Sequence, residues 1–324
     1  MVFWGVVLLS VSCLIVIPSS SGGEEKYPTR PVNLVIPYSA GGSFDIVSRV
    51  ISSVANEYLG QPLIVNMKPG GGAVIGTAFV ARGKPNGYTL LFAGNSSLTI
   101  ACQIEDTGYT KEDFIPIAKI NHLPYVVAVR ADRPWKSLED LLSHMRPNPK
   151  KVIFGATGIP GLITLGNEML LKTAKIEASP PIVPFKGVGD QVLSILKGDT
   201  DYMVQIYLGL VPFIKSKEIR VLAVLDDKRL PLLPDVPTAK ELGYDLTLNM
   251  WETILVPKGT PDDIVEKLST AFAKIVKDPS FVAMMEKMEI PIMYQDRGQF
   301  QKFWDDEYKK YGELIDRLGL KKKK

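Results

Sequence analysis

The chain has almost no cysteine and almost no histidine. Cys13 and Cys102 are its only thiols, and His122 and His144 its only imidazoles, in 324 residues. Zinc needs several soft ligands converging on one point, so a Cys/His metal centre is excluded and no metal is expected. Spacing leaves open a nucleophilic pairing of Cys102 with a histidine, but nothing local supports it, and a buried structural thiol is the simpler assignment. An excess of one charge is also missing. Thirty-eight basic residues against 35 acidic ones leave a net charge of +3, too balanced for the concentrated basic face that nucleic acid binding requires. The lysine run at 321–324 reads as a solvated tail. No GxxxxGK[ST] loop occurs. Gly70-Gly71-Gly72-Ala73-Val74-Ile75-Gly76 spaces its glycines GxGxxxG, one residue too long for a dinucleotide fingerprint. No GxSxG elbow is present, and acidic pairs such as Asp262-Asp263 sit at helix starts, where capping explains them. No catalytic constellation can be named, so the chain is expected not to be an enzyme and to carry no cofactor.

What is present is ordinary globular material, 46% hydrophobic and 23% charged, which excludes wholesale disorder and a polytopic membrane protein. At about 150 residues per domain the length suggests two domains. The first residues stand apart. Val2–Ile17 is almost uninterrupted apolar sequence and ends in Pro18-Ser19-Ser20-Ser21-Gly22, the outline of a secretory signal peptide cleaved near Ser21, although no Lys or Arg precedes it. An uncleaved anchor is the other reading, but the run is short against the ~20 residues that span a bilayer. Loss of the leader removes Cys13 and with it any intrachain disulfide. The mature protein is expected to be exported, soluble and periplasmic.

From residue 32 onward, apolar strand-like runs alternate with helix-period segments. Val32–Pro37, Leu63–Val65, Thr89–Ala93, Tyr125–Val129, Val152–Ala156, Ile182–Phe185, Tyr202–Ile206, Ile219–Leu225 and Thr253–Val256 carry the strand signal. Val47, Val50, Ile51, Val54, Ala55 and Tyr58 fall on one helical face that Gly60 closes. Ser137-Leu138-Glu139-Asp140 and Thr260-Pro261-Asp262-Asp263 look like hydroxyl-capped helix starts. Such alternation predicts an α/β protein with helices on both faces of largely parallel sheets. With no linker of biased composition between halves, the chain is expected to cross between domains inside strands, near Tyr125–Val129 and Thr253–Val256.

Glycine-rich turns join strand ends to helix starts at Pro37–Asp45, Phe154–Gly161 and Phe185–Gly189. A helix start presents unpaired N–H groups and a positive dipole end, and glycine lets an anion approach them. In open α/β sheets ligands collect at this end of the strands. Each turn alone is more simply a plain βα connection; several together, split between two domains, favour a cleft that closes on an anion. Asp45 has two readings, a carboxylate that ties up loop N–H groups or one that meets a ligand. Trp251 is either a wall of the cleft or part of the core.

Five spaced segments then resemble one family in order. Tyr27-Pro28-Thr29-Arg30-Pro31-Val32 leading to Ile36-Pro37-Tyr38-Ser39-Ala40-Gly41-Gly42-Ser43-Phe44-Asp45 is similar to the opening of the Bug-type substrate-binding proteins of tripartite tricarboxylate transporters. So are Leu59-Gly60-Gln61-Pro62 with Val65-Asn66-Met67-Lys68-Pro69-Gly70-Gly71-Gly72, Pro85-Asn86-Gly87-Tyr88-Thr89-Leu90-Leu91, Leu233-Pro234-Asp235-Val236-Pro237-Thr238 and Val256-Pro257-Lys258-Gly259-Thr260-Pro261. The resemblance implies a type II periplasmic-binding-protein fold, two α/β domains hinged by two crossing strands around a cleft. It implies a leader over 1–22, a discontinuous first domain over 23–124 and 252–324, and a second over 125–251. The implied function is capture of a small organic carboxylate for two membrane permease subunits, by a monomer. A sensory receptor and, less well supported, an exported enzyme are the alternatives.

The implied ligand-binding set starts with Tyr38, Ser39, Ala40, Gly41, Gly42, Ser43 and Asp45 in the first loop. Asn95 and Ser96 follow the third strand. Thr157, Gly158, Ile159, Pro160 and Gly161 form the second loop, and Lys186, Gly187 and Gln205 complete the set. Where the family commonly ends the second loop in Thr-Pro-Ser-His, this chain has Ile159-Pro160-Gly161-Leu162. It also has Phe185-Lys186-Gly187 in place of Tyr-Arg-Gly. The first departure removes polar groups and predicts a more apolar distal subsite.

Overall fold

The computed structural model describes Met1 and residues 27–157, 161–185 and 187–321. The expected leader, Gly158, Ile159, Pro160 and Lys186 lie outside the described residues. β1 (Val32–Ile36) leads into α1 (Ser43–Leu59), β2 (Leu63–Met67), α2 (Val74–Ala81) and β3 (Thr89–Gly94). A π-helical turn at Ser96–Ala101 runs into the short α3 (Cys102–Ile104). Then come β4 (Phe114–Arg130), α4 (Leu138–Met145), β5 (Phe154–Thr157), α5 (Leu162–Thr173), β6 (Ile182–Phe185), α6 (Val188–Lys197) and β7 (Tyr202–Ile206). The chain ends through α7 (Val211–Lys215), β8 (Ile219–Val224), β9 (Asn249–Pro257), α8 (Asp262–Ile275), α9 (Pro279–Lys287) and α10 (Arg297–Arg317).

Local chemistry accounts for most boundaries. α1 buries Val47, Val50, Ile51, Ala55 and Leu59 at helical spacing, and Gly60, in the left-handed region at φ 75°, closes it with an N–H bond to the Asn56 carbonyl. Ser137 caps α4 in a reciprocal box with Asp140. The expected hydroxyl cap at Thr260 is not made. Its Oγ bonds back to the Pro257 carbonyl at 2.7 Å, and α8 starts one residue later, with Pro261 as its N-cap.

The strands form one curled sheet in the order β2-β1-β3-β9-β4-β7-β5-β6, with β8 also paired to β4. β1 is parallel to β2 and β3, and β5 is parallel to β6 and β7. The long β4 serves both halves. Its residues 114–124 pair antiparallel with β9, and 125–130 pair with β7 and β8. Sequence patterning finds only the second stretch, because Pro116 and Pro124 break the first; the ladder accommodates them with register shifts between Pro116 and Ala118 and between Lys119 and Asn121.

One core lies under α1, α8 and α9 and continues through Val192, Ile195 and Met203 of the second half. The opposite face carries two cores, one per half. α10 feeds both. Phe300 and Trp304 pack with the first, and Tyr311, Leu314 and Ile315 with the second. Trp251 is fully buried against Phe300, Phe303 and Trp304, with ring centroids 5.3–6.4 Å apart. Aromatic pairs of this kind contribute about 0.5–1.5 kcal/mol each beyond their buried area. Of the two readings of Trp251, the core is the one realised.

Candidate ligand-binding cleft

The first glycine turn is shaped by one carboxylate. Gly41 is in the left-handed region at φ 89°, and its N–H donates to Asp45 Oδ2 at 2.9 Å. Arg49 Nε donates to Asp45 Oδ1 at 2.6 Å. The Gly41 amide, helped by the Arg49 guanidinium, holds the Asp45 carboxyl below its usual range. Both Asp45 oxygens are thus engaged within the turn, which supports the loop-tying reading. The first helical bond runs from the Ile46 amide to the Gly42 carbonyl. The amides of Gly42, Ser43 and Phe44 therefore have no acceptor inside the helix. Tyr38 is held over this start by stacking on Phe44, 4.0 Å between centroids and 14° between planes.

Two open cavities meet at Tyr38. The larger, about 750 Å³, takes Tyr38, Ser39, Gly70, Gly72, Ser96 and Ile100 from the first half and Tyr125, Thr157, Gly161, Leu162 and Ile163 from the second. The smaller, about 470 Å³, lies along Gly41, Gly42, Ser43 and Phe44 and is closed by Val188, Gln205, Ile206 and Met250. Gly161 is the N-cap of α5 and is fixed reciprocally by Thr164, N–H to Oγ1 at 3.0 Å and Oγ1 to carbonyl at 2.8 Å. The α1 start thus lines the smaller cavity and the α5 start the larger, and Tyr38 lines both. The only charged side chain among the described lining residues is Glu105. A third concavity, about 700 Å³, runs along α2 between Arg30, Phe79 and Arg82 and involves neither helix start.

The remaining expected residues are distributed as follows. Asn95 is fully buried, bonds the Asn249 carbonyl through Nδ2 at 2.8 Å, and lines neither cavity. Gln205 reaches the smaller cavity, but Nε2 is bonded to Gln191 Oε1 at 2.6 Å and Oε1 to the Ile206 amide at 2.8 Å. Gly187 caps α6 in extended backbone and lines neither cavity; Val188 beside it does. Ala40 sits exposed between the two arms of the first loop.

Sequence reasoning missed the wall formed by Gly70, Gly72 and Ala73. Its signal is the triple glycine itself, which fails as a nucleotide fingerprint and enters the family resemblance without being assigned to the site. Gly70, Gly71, Gly72 and even Ala73 all have positive φ, so this segment is a sharp turn at the cavity edge. Also missed was Glu252 in β9. It is fully buried, paired in register with Gly94 of β3 and Asn121 of β4, and neither carboxyl oxygen has a hydrogen-bond partner. Burial pushes its pKa up to about 7, against the weaker opposing pull of Ser43 and Asn121, which lie close without completing a bond.

Two α/β halves joined through shared strands, with adjoining cavities lined by residues of both, have the layout of a two-lobed solute-binding receptor. Residues 47–320 match the family described as "Tripartite tricarboxylate transporter family receptor", and the chain belongs to that family. A Cupriavidus necator protein named for the gbd 5' region is 31% identical over 92% of this chain and 90% of its own. BugT of Bordetella pertussis is 28% identical over 92% of each. Among solved structures, a ligand-free TctC solute-binding protein from Polaromonas superposes with a TM-score of 0.80 at 30% identity, covering 90% of this chain and 99% of that one. The periplasmic binding protein BugD gives 0.75 at 29% identity, covering 92% and 100%. A Rhodopseudomonas palustris protein solved with adipate gives 0.75 at 25% identity, covering 90% and 98%. The fold is the type II periplasmic-binding-protein fold, and the family is one of periplasmic solute-binding receptors, not of enzymes.

Proposed function

We propose that this protein captures a small organic carboxylate between its two lobes and presents it to the two membrane permease subunits of a tripartite transporter, after export by the leader over 1–22. The lobes in this reading are 23–124 with 252–324, and 125–251. One observation supports the proposal: the helix starts of α1 and α5, one from each half, line two cavities that adjoin at Tyr38, and no Lys or Arg lines either among the described residues. An anion held there relies on backbone N–H groups and helix dipoles. The apolar stem of the ligand packs on Ile100, Leu162 and Ile163. The adipate bound to the R. palustris relative is such a molecule, two carboxylates on an apolar chain.

The test is a thermal-shift screen of mono- and dicarboxylates, adipate included, followed by calorimetry on the best acid and its amide. A ligand at about 100 times its Kd adds ~2.7 kcal/mol, a shift of several degrees. An amide presents donors where donors already point and loses charge-assisted bonds that contribute about 1.5–3 kcal/mol each. The amide should bind at least about tenfold more weakly. An amide that binds as well as the acid refutes backbone anchoring.

A further inference from the structure

Glu252 is an expensive residue to keep. A fully buried carboxyl without a partner is costly to ionise, and its surroundings do little to help. The groups that face it are the Ser43 hydroxyl at the start of α1, the Tyr38 phenol of the loop before it, and the Asn121 amide of β4. β3 contributes Gly94, which has no side chain and lies against Phe44 of α1. The charged groups of these elements are engaged elsewhere. Arg49 pairs with Asp45, His122 Nε2 lies 2.8 Å from Asp226, and Lys119 lies over the Phe303 ring at 4.6 Å. No cation compensates Glu252. It stands directly behind the helix start at which, on the reading above, the ligand carboxylate sits.

Two anions then compete for one positive helix end inside a low-dielectric floor. Ionised Glu252 repels a carboxylate at α1, whereas its neutral acid does not, and leaves the Gly42–Phe44 amides to the ligand. We propose that Glu252 is the residue that makes ligand capture proton-linked: a carboxylate binds to the form in which Glu252 is protonated, so that binding above neutral pH draws a proton from solvent onto this side chain. The proposal rests on the carboxylate-capture reading and adds to it a specificity element, since a neutral ligand gains nothing from the proton. A titration midpoint near 7 for the free protein puts the effect in the accessible range, with affinity for anions rising as the pH falls from about 9 to 6.

Calorimetric titration of adipate into the wild-type protein and into Glu252→Gln, at pH 6, 7, 8 and 9, tests it. If bound anion raises the Glu252 midpoint by one pKa unit, wild-type Kd weakens about tenfold across this range. Glu252→Gln, fixed in the neutral form, should hold the low-pH affinity throughout. Titration of the wild-type protein alone at pH 8 in buffers of different ionisation enthalpy reads proton uptake without any variant, and a fractional uptake is expected. Zero uptake, or a Gln variant with the wild-type pH slope, overturns the proposal while leaving carboxylate capture intact. If neither adipate nor any acid of the screen binds either protein at pH 6, the capture reading falls and this inference with it.

Discussion

The same side chain makes a second, ligand-free prediction about folding. Glutamine is nearly isosteric with a protonated glutamic acid and cannot ionise, so Glu252→Gln isolates the cost of the buried charge. In the unfolded chain Glu252 titrates near 4.5, and in the folded protein burial moves it to about 7. Between those values the folded state keeps a proton that the unfolded state has released. The stability conferred by the neutral acid is therefore complete below about pH 4.5, declines as the pH rises through this window, and is gone above about 7. At ~1.36 kcal/mol per pKa unit the decline amounts to about 3 kcal/mol. For a chain of this size that is a Tm displacement of about 5 °C. Scanning calorimetry on both proteins from pH 4.5 to 8 should show the Gln variant gaining on wild type by that amount, on top of whatever constant offset the amide introduces. A difference that does not grow with pH would show that Glu252 finds compensation in the folded protein, and the reasoning would be wrong.

Other substitutions test the surrounding geometry. A Cβ at Gly94 would stand 2.4 Å from the Trp251 carbonyl oxygen and 2.9 Å from Phe44 Cζ. Gly94→Ala should therefore cost about 3 kcal/mol in urea unfolding, since the carbonyl is fixed in the β3–β9 ladder; a neutral result would mean the strands can part. Gly41 and Gly42 both have open space around them, but only Gly41 has positive φ. Gly41→Ala should destabilise by about 1–2 kcal/mol, whereas Gly42→Ala should leave stability unchanged, and equal losses would contradict this assignment. Lys119 is almost fully buried, and burial lowers its pKa to about 8. Lys119→Met should be the more stable protein near pH 7, by up to about 3 kcal/mol. Wild type should recover between about pH 8 and 10.5 as the folded protein sheds that proton first, a trend opposite in sign to that of Glu252. A pH-independent gap would refute it.

How far the sequence reaches depends on whether a signal is local. The α/β alternation, the α1 face and the Ser137 box are local patterns, and each has its counterpart in the fold. The first half of β4 is hidden because two prolines mask a strand that is stabilised by its distant partners, β9 and the segment at 293–295. The loop 37–45 is legible from glycine placement and comes to the cleft edge, as do Thr157 and Gly161 of the second turn. Asn95 and Gln205 enter only through the family resemblance, and the backbone and side-chain partners that occupy them are not legible in the sequence. Glu252 left a trace that was not read. Trp251 to Val256 has both alternating faces apolar apart from Glu252 and Thr253, which marks a strand buried on both sides and therefore a carboxyl with nowhere to solvate.

The C-terminal helix α10 also limits how such a cleft can work. Its 21 residues, about 30 Å at 1.5 Å per residue, are seated at one end by Phe300 and Trp304 and at the other by Tyr311, Leu314 and Ile315. A rod clamped in two cores acts as a splint. It resists bending and lets its hosts turn only about directions that keep both seats filled. Opening and closing would then be reduced from a free swing to a narrow roll, and the lobes would return to the same relative alignment each time. If a permease reads one filled shape, as proposed above, the splint would do in the resting molecule what a rigid hinge pin does in a gate: it would fix the path as well as the end points.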